Sequence, residues 1–158
     1  MIVALISWGL IAICAFLCGF AGLYLLYGKK KMTWGIDVCI LSGLCVLTVY
    51  AQMFSLFYKV GGIAVGILAA ICLVIALILR KDIVTYIRMN TKTIRSWQVV
   101  LAAVLFVLVL ALTVRGVAHY DTDLYHAQSI RWIEEFGVVK GLGNLHNRFA
   151  YNSAFFCL

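Results

Sequence analysis

Residues 2–27, IVALISWGLIAICAFLCGFAGLYLLY, hold no charged side chain. A bilayer core is crossed by about 20 predominantly apolar residues in a helix. Helices are favoured there because they satisfy their own backbone hydrogen bonds, which lipid cannot do. The run therefore reads as a spanning helix. It does not read as a cleavable leader: it lacks a basic start, and it outruns the roughly 7–15 apolar residues of a signal peptide.

Three further runs repeat the pattern. Thr33–Tyr58 contains only Asp37, while Val60–Leu79 and Trp97–Val114 contain no charge. Composition agrees. The 158-residue chain is 65% hydrophobic and 12% charged, with no proline, whereas soluble domains average about 25% charged residues. A water-soluble fold would lack the polar residues to cover its surface. The fold class expected is all-α: a polytopic membrane helix bundle with spans at 2–27, 33–58, 60–79 and 97–114. An external amphipathic helix follows within 115–158.

Basic residues orient the spans. Lys29, Lys30 and Lys31 follow the first, and Arg80, Lys81, Arg88, Lys92 and Arg95 follow the third. The turn between spans two and three has only Lys59. The positive-inside rule places the two basic loops in the cytoplasm. The N-terminus and residues 115–158 are then external, as in a multi-pass protein of a bacterial inner membrane. Most of the net charge of +7 lies in those loops, so membrane lipid is the expected partner and nucleic acid is not.

Residues within the spans read as packing groups. Five of the six cysteines, Cys14, Cys18, Cys39, Cys45 and Cys72, lie there, and Cys157 does not. Cys14 and Cys18 are one turn apart, but small packable residues account for them. Gly62 and Gly66 form a small-xxx-small pair that signals close helix approach. Asp37 lies near the cytoplasmic end of its span, where it reads as a headgroup-level side chain pairing with a lysine of 29–31. Residues 80–96 read as a basic interfacial helix ending in a polar turn.

The external segment changes character. His119-Tyr120-Asp121-Thr122-Asp123-Leu124-Tyr125-His126 holds two of the four aspartates and two of the three histidines. On a wheel at about 100° per residue, Leu124–Phe136 places Trp132, Tyr125, Phe136, Ser129, Ile133, His126 and Ile130 on one arc. Glu134, Arg131, Glu135 and Gln128 lie opposite, and Gly137 suits the C-terminal cap. Asp121-Thr122-Asp123 opens this helix and has three readings. Aspartate and threonine cap helices, a carboxylate can act as general base towards a hydroxyl, and Asp121, Asp123 and His126 can hold a divalent cation such as Mg or Mn. Downstream, His146 and Arg148 in Gly141-Leu142-Gly143-Asn144-Leu145-His146-Asn147-Arg148 suit a phosphate, or belong to a solvated loop. Phe149–Leu158 turns apolar again and reads as the start of a fifth span, so the chain reads as the N-terminal part of a longer protein.

The motif Asp121-Thr122-Asp123 followed by the helix Leu124–Phe136 resembles the GT-C superfamily of membrane glycosyltransferases. That family carries an acidic motif in an external loop, then an amphipathic helix along the membrane. The wider run from Tyr120 to Gly137, with Gly141–His146, also resembles an uncharacterised group of bacterial polytopic proteins. The resemblance implies transfer of a sugar from a polyprenyl-phosphate donor to an envelope glycan or lipid, with Asp121 or Asp123 as base or metal-positioning acid. Local chemistry adds His126, His146 and Arg148 as contacts to the donor phosphate. The family's motif follows its first span, whereas here it follows the fourth, so three spans would be an N-terminal addition. A transport or flippase-related protein and a non-catalytic membrane subunit are the rival readings.

Overall fold

The computed structural model describes residues 2–29, 32–92, 94–114, 121–150 and 157. Among them the chain is helical, in the order α1 (Ile2–Tyr27), α2 (Ile36–Phe57), α3 (Gly62–Ile78), α4 (Arg80–Thr91), α5 (Ser96–Val114), α6 (Ala127–Phe136) and α7 (Leu142–Leu145). A π-helical turn, Thr122–His126, leads into α6, and a 3-10 turn, Asn147–Ala150, follows α7. Among the described residues three helices, α1, α2 and α5, are long and apolar enough to cross a membrane, and there are four such segments if α3 and α4 count as one bent span. The four apolar runs are helical as α1, α2, α3 and α5, with ends that differ from the runs by a few residues.

α1 and α2 form the tightest pair. The buried residues of α2 include Cys39, Gly43, Leu47, Ala51 and Ser55, a spacing of four that lines one face. Facing them are Ala15, Cys18 and Gly19 of α1, also buried. A Cβ on Gly19 would collide with the Cys39 carbonyl, and one on Gly43 with the Ala15 carbonyl. Backbone therefore meets backbone through Ala15-xxx-Gly19 against Cys39-xxx-Gly43. The expectation that Gly62 and Gly66 mark the close approach is corrected: a Cβ on either would meet nothing within 4 Å. The spacing alone could not say which small pair faces a helix. Three of the cysteines, Cys18, Cys39 and Cys72, are buried, with the Cys18 and Cys72 sulfurs 3.8 Å apart, while Cys45 is exposed.

α3 has 17 residues, about 26 Å at the α-helical rise and short of the roughly 30 Å of hydrocarbon. The chain then bends by 81° into α4. Leu79 leaves the helical basin at φ −96°, ψ 12°, where the apolar run gives way to Arg80-Lys81-Asp82. α4 turns under the α1–α2 connection. The Tyr86 hydroxyl donates to the Trp34 carbonyl at 2.8 Å, and Lys29 pairs with Asp82 at 2.5 Å. Lys29 thus pairs with α4, not with Asp37; Lys30 and Lys31 lie outside the described residues.

α5 stands apart, without a buried residue over its apolar window. It touches α1 through an edge-on contact of Trp8 with Phe106, ring centres 6.0 Å apart.

The other end of the bundle carries α6. The Val60 N–H donates to the Ile133 carbonyl at 3.1 Å, and the Val138 N–H to the Ser55 carbonyl at 2.9 Å. Gly137 has φ +76°, and a Cβ there would lie 2.8 Å from the Ser55 carbonyl oxygen and 2.9 Å from that of Tyr58. The residue expected as a helix cap is therefore also the point where α6 docks on the α2–α3 turn. Ser129 and Ile133 are buried, and Gln128, Arg131, Glu134 and Glu135 are exposed, as the wheel anticipates, but Ile130 and Phe136 on the apolar arc are exposed as well.

Candidate functional site

The site is built where the chain enters α6. The Ala127 N–H bonds to the Thr122 carbonyl, five residues back, which makes this turn a π-helix rather than the α-helix expected from Leu124 onward. π-turns occur mostly as single insertions, frequently at functional sites. The wider turn shifts Leu124, Tyr125 and His126 from their positions on an α-helical wheel.

Asp121 precedes the turn with helical dihedrals and makes no side-chain capping bond. Its Oδ1 accepts instead from Nη1 of Arg148 at 2.5 Å, across 27 residues of sequence. The capping reading of Asp121 is thereby corrected, because the carboxylate is turned towards a distant cation. The Arg148 guanidinium lies 5.2 Å from the centre of the Tyr125 ring, within cation–π range. The Tyr125 ring meets that of His126 edge-on at 4.2 Å.

Arg148 is positioned by its own turn. Gly141 adopts φ +88°, ψ 3° and starts the short helix α7. His146 follows in extended conformation, and its Nδ1 accepts the Arg148 backbone N–H at 3.2 Å. His146 also meets Phe149 edge-on at 5.9 Å. Residues 141–148, read as a turn-rich loop, thus contain a helical turn and the start of a 3-10 turn that aims Arg148 at Asp121.

Of the residues expected at a site, Asp121 and Arg148 are joined directly. His146 supports Arg148 through its backbone, and His126 is adjacent through Tyr125. Asp123 lies on the π-turn, its side chain outside the described set, and His119 lies outside the described residues. Tyr125 was read as part of the apolar arc and missed as a site residue. Its spacing of four from Asp121 was the available signal, but only the return of Arg148 brings a cation to its ring. The Asp121 and Arg148 side chains are 27% and 46% exposed, so ligands can reach the pair, and its contribution to stability is that of a surface ion pair, about 0–1 kcal/mol.

Among the described residues no group of three or more His, Cys, Asp or Glu is placed to hold a metal; of the expected ligands Asp121, Asp123 and His126, the Asp123 side chain lies outside that set.

A family model described as a domain of unknown function, DUF8201, matches residues 1–158. The chain belongs to this family. No curated protein and no solved structure matches it. In this DUF8201 chain the acid–arginine pair and the basic loops lie at opposite ends of α2. α2 itself, with 22 residues, spans about 33 Å at the α-helical rise.

Proposed function

We propose that this protein takes part in membrane glycosyl transfer, moving a sugar from a polyprenyl-phosphate donor to a hydroxyl of a glycan or lipid acceptor. One observation carries the reading: Asp121 and Arg148 meet in a single exposed contact beside the Tyr125 ring. A carboxylate that accepts a hydroxyl proton then sits beside a guanidinium that binds phosphate oxygens.

The step is a direct displacement. The acceptor oxygen forms the new bond to the anomeric carbon, the bond from that carbon to the phosphate oxygen breaks, and polyprenyl phosphate leaves with the electron pair. Asp121 takes the hydroxyl proton. Arg148 presents N–H donors to the departing phosphate, and His146 holds the backbone of Arg148 in place. The position of the pair, at the end of α2 away from Lys29, Arg80 and Lys81, supports an external site under the positive-inside rule. It fits less well with nucleotide sugars, which are cytoplasmic.

The test uses the full protein in vesicles with polyprenyl-phosphate-linked glucose and mannose, measuring release of polyprenyl phosphate in the presence of membrane acceptors. The expected result is release by the wild type and loss of about 100-fold or more in Asp121→Asn, the range for general-base removal starting near that figure, with insertion unchanged. Asp123→Asn, run alongside, shows which aspartate of the motif bears the proton. Full release by both variants would overturn the reading, as would no release by the wild type with either donor.

A further inference from the structure

At the basic end, between the start of α2 and the first half of α5, lies a cavity of about 750 Å³. Ile36, Ala102, Ala103 and Phe106 form its apolar walls. Its polar lining is Asp37, Asn90 and Gln98, which belong to the first turn of α2, the last turn of α4 and the first turn of α5. Polarity is thus gathered at one end, and Phe106 lies about 12 Å further along α5 from Gln98 at the helical rise.

The cavity exists because α5 stands away from the bundle, reaching α1 through Phe106 and Trp8. Packed proteins leave few voids larger than a water molecule, and water is a poor filler for apolar walls of this size. Its apolar walls come from α2 and α5, both long and apolar enough to cross a membrane, so the substance at hand to fill the wedge is lipid. The polar end selects among lipids by charge. Asp37 is exposed and is the one charged residue lining the cavity among the described residues. An ammonium suits the carboxylate. A lipid bearing phosphate without an ammonium would leave Asp37 facing an anion.

We infer that this cavity binds a zwitterionic phospholipid of the ethanolamine class, with one acyl chain in the wedge against Ala102, Ala103 and Phe106 and the ammonium at Asp37. The site is independent of the sugar-transfer reading and lies at the other end of α2 from it. It would complete the packing of α5 with a bound lipid instead of another helix.

The experiment places the full chain in vesicles containing equal amounts of phosphatidylethanolamine and phosphatidylglycerol, one of the two carrying a photoreactive group on an acyl chain. After illumination, labelled peptides are quantified by mass spectrometry. The expected result is labelling of residues 99–106, with phosphatidylethanolamine exceeding phosphatidylglycerol about fivefold, the effect of one headgroup-level charge. Asp37→Asn brings the ratio close to one while labelling persists. Ala102→Phe, which fills the wedge, lowers labelling by both lipids and leaves residues 2–10 labelled as before. Equal labelling by the two lipids in the wild type, a ratio unchanged in Asp37→Asn, or no labelling of residues 99–106 would each overturn the inference.

Discussion

Arg148 reaches back 27 residues to place Nη1 2.5 Å from Oδ1 of Asp121, and the contact joins the start of a π-turn to a 3-10 turn. The two side chains have opposite charge and complementary chemistry, and Tyr125 flanks the cation. A pair this exposed adds little to folding, so its removal should be visible in function long before it is visible in stability.

That separation is a measurable outcome. Asp121→Ala, Arg148→Ala and the double variant, compared in denaturation, should give a coupling energy of about 1 kcal/mol or less. In the transfer assay the same single variants should each lose most activity. Arg148→Lys should restore little, since lysine keeps the charge but lacks the planar fork that binds phosphate bidentately. A coupling of several kcal/mol would make the pair structural instead.

Gly137 tests the docking of α6. Its φ of +76° and the nearness of the Ser55 and Tyr58 carbonyls combine backbone strain with a backbone clash. Gly137→Ala should cost about 1–3 kcal/mol and loosen α6 from the α2–α3 turn. Limited proteolysis checks this: cleavage between residues 138 and 146 should quicken while the α1–α2 pair stays protected. Gly141→Ala, strained by φ alone with only the Asn144 side chain at 3.6 Å, should leave α6 docked.

The α1–α2 interface gives a contrast between glycines of similar appearance. Gly43→Ala and Gly19→Ala put a methyl group into backbone and should destabilise by about 1–3 kcal/mol as overpacking does. Gly66→Ala meets open space and should be neutral or slightly stabilising through helix propensity. Thermal unfolding in a single detergent, run on all three, separates the two classes.

Lys29 predicts a dependence on alkaline pH. Its hydrogen bond to Asp82, reinforced by the carboxylate charge, raises the Lys29 pKa above the ordinary 10.5. A pKa raised on folding contributes stability that is fully present below the unfolded value and is lost as pH rises through the folded value. Wild-type protein should therefore exceed Lys29→Met in stability near neutral pH, by a small margin because Lys29 is exposed. The margin should shrink as pH rises above 10.5. Unfolding midpoints of the two proteins from pH 8 to 12 follow the difference, and a constant margin across that range would contradict it.

The helical class and most helix positions were legible in the chain itself. Long uncharged runs such as 2–27 have one low-energy arrangement of their backbone groups in an apolar medium, so periodicity and length sufficed. The amphipathic character of α6 and the glycine at its end were legible for the same local reason. The basic residues gathered at one end of the bundle were countable from the sequence.

What the chain by itself left open was every relationship between distant segments. Gly62-xxx-Gly66 and Ala15-xxx-Gly19 look alike as strings, and only packing shows that the second meets a helix backbone. Asp121 looks like a cap until Arg148 arrives, and Lys29 finds its partner in Asp82 of α4. The bend at Leu79 and the stand-off of α5 have no proline or glycine to announce them. Helix formation depends on neighbours within about five residues, whereas these choices depend on which surfaces come together, and that is decided only when the tertiary fold closes.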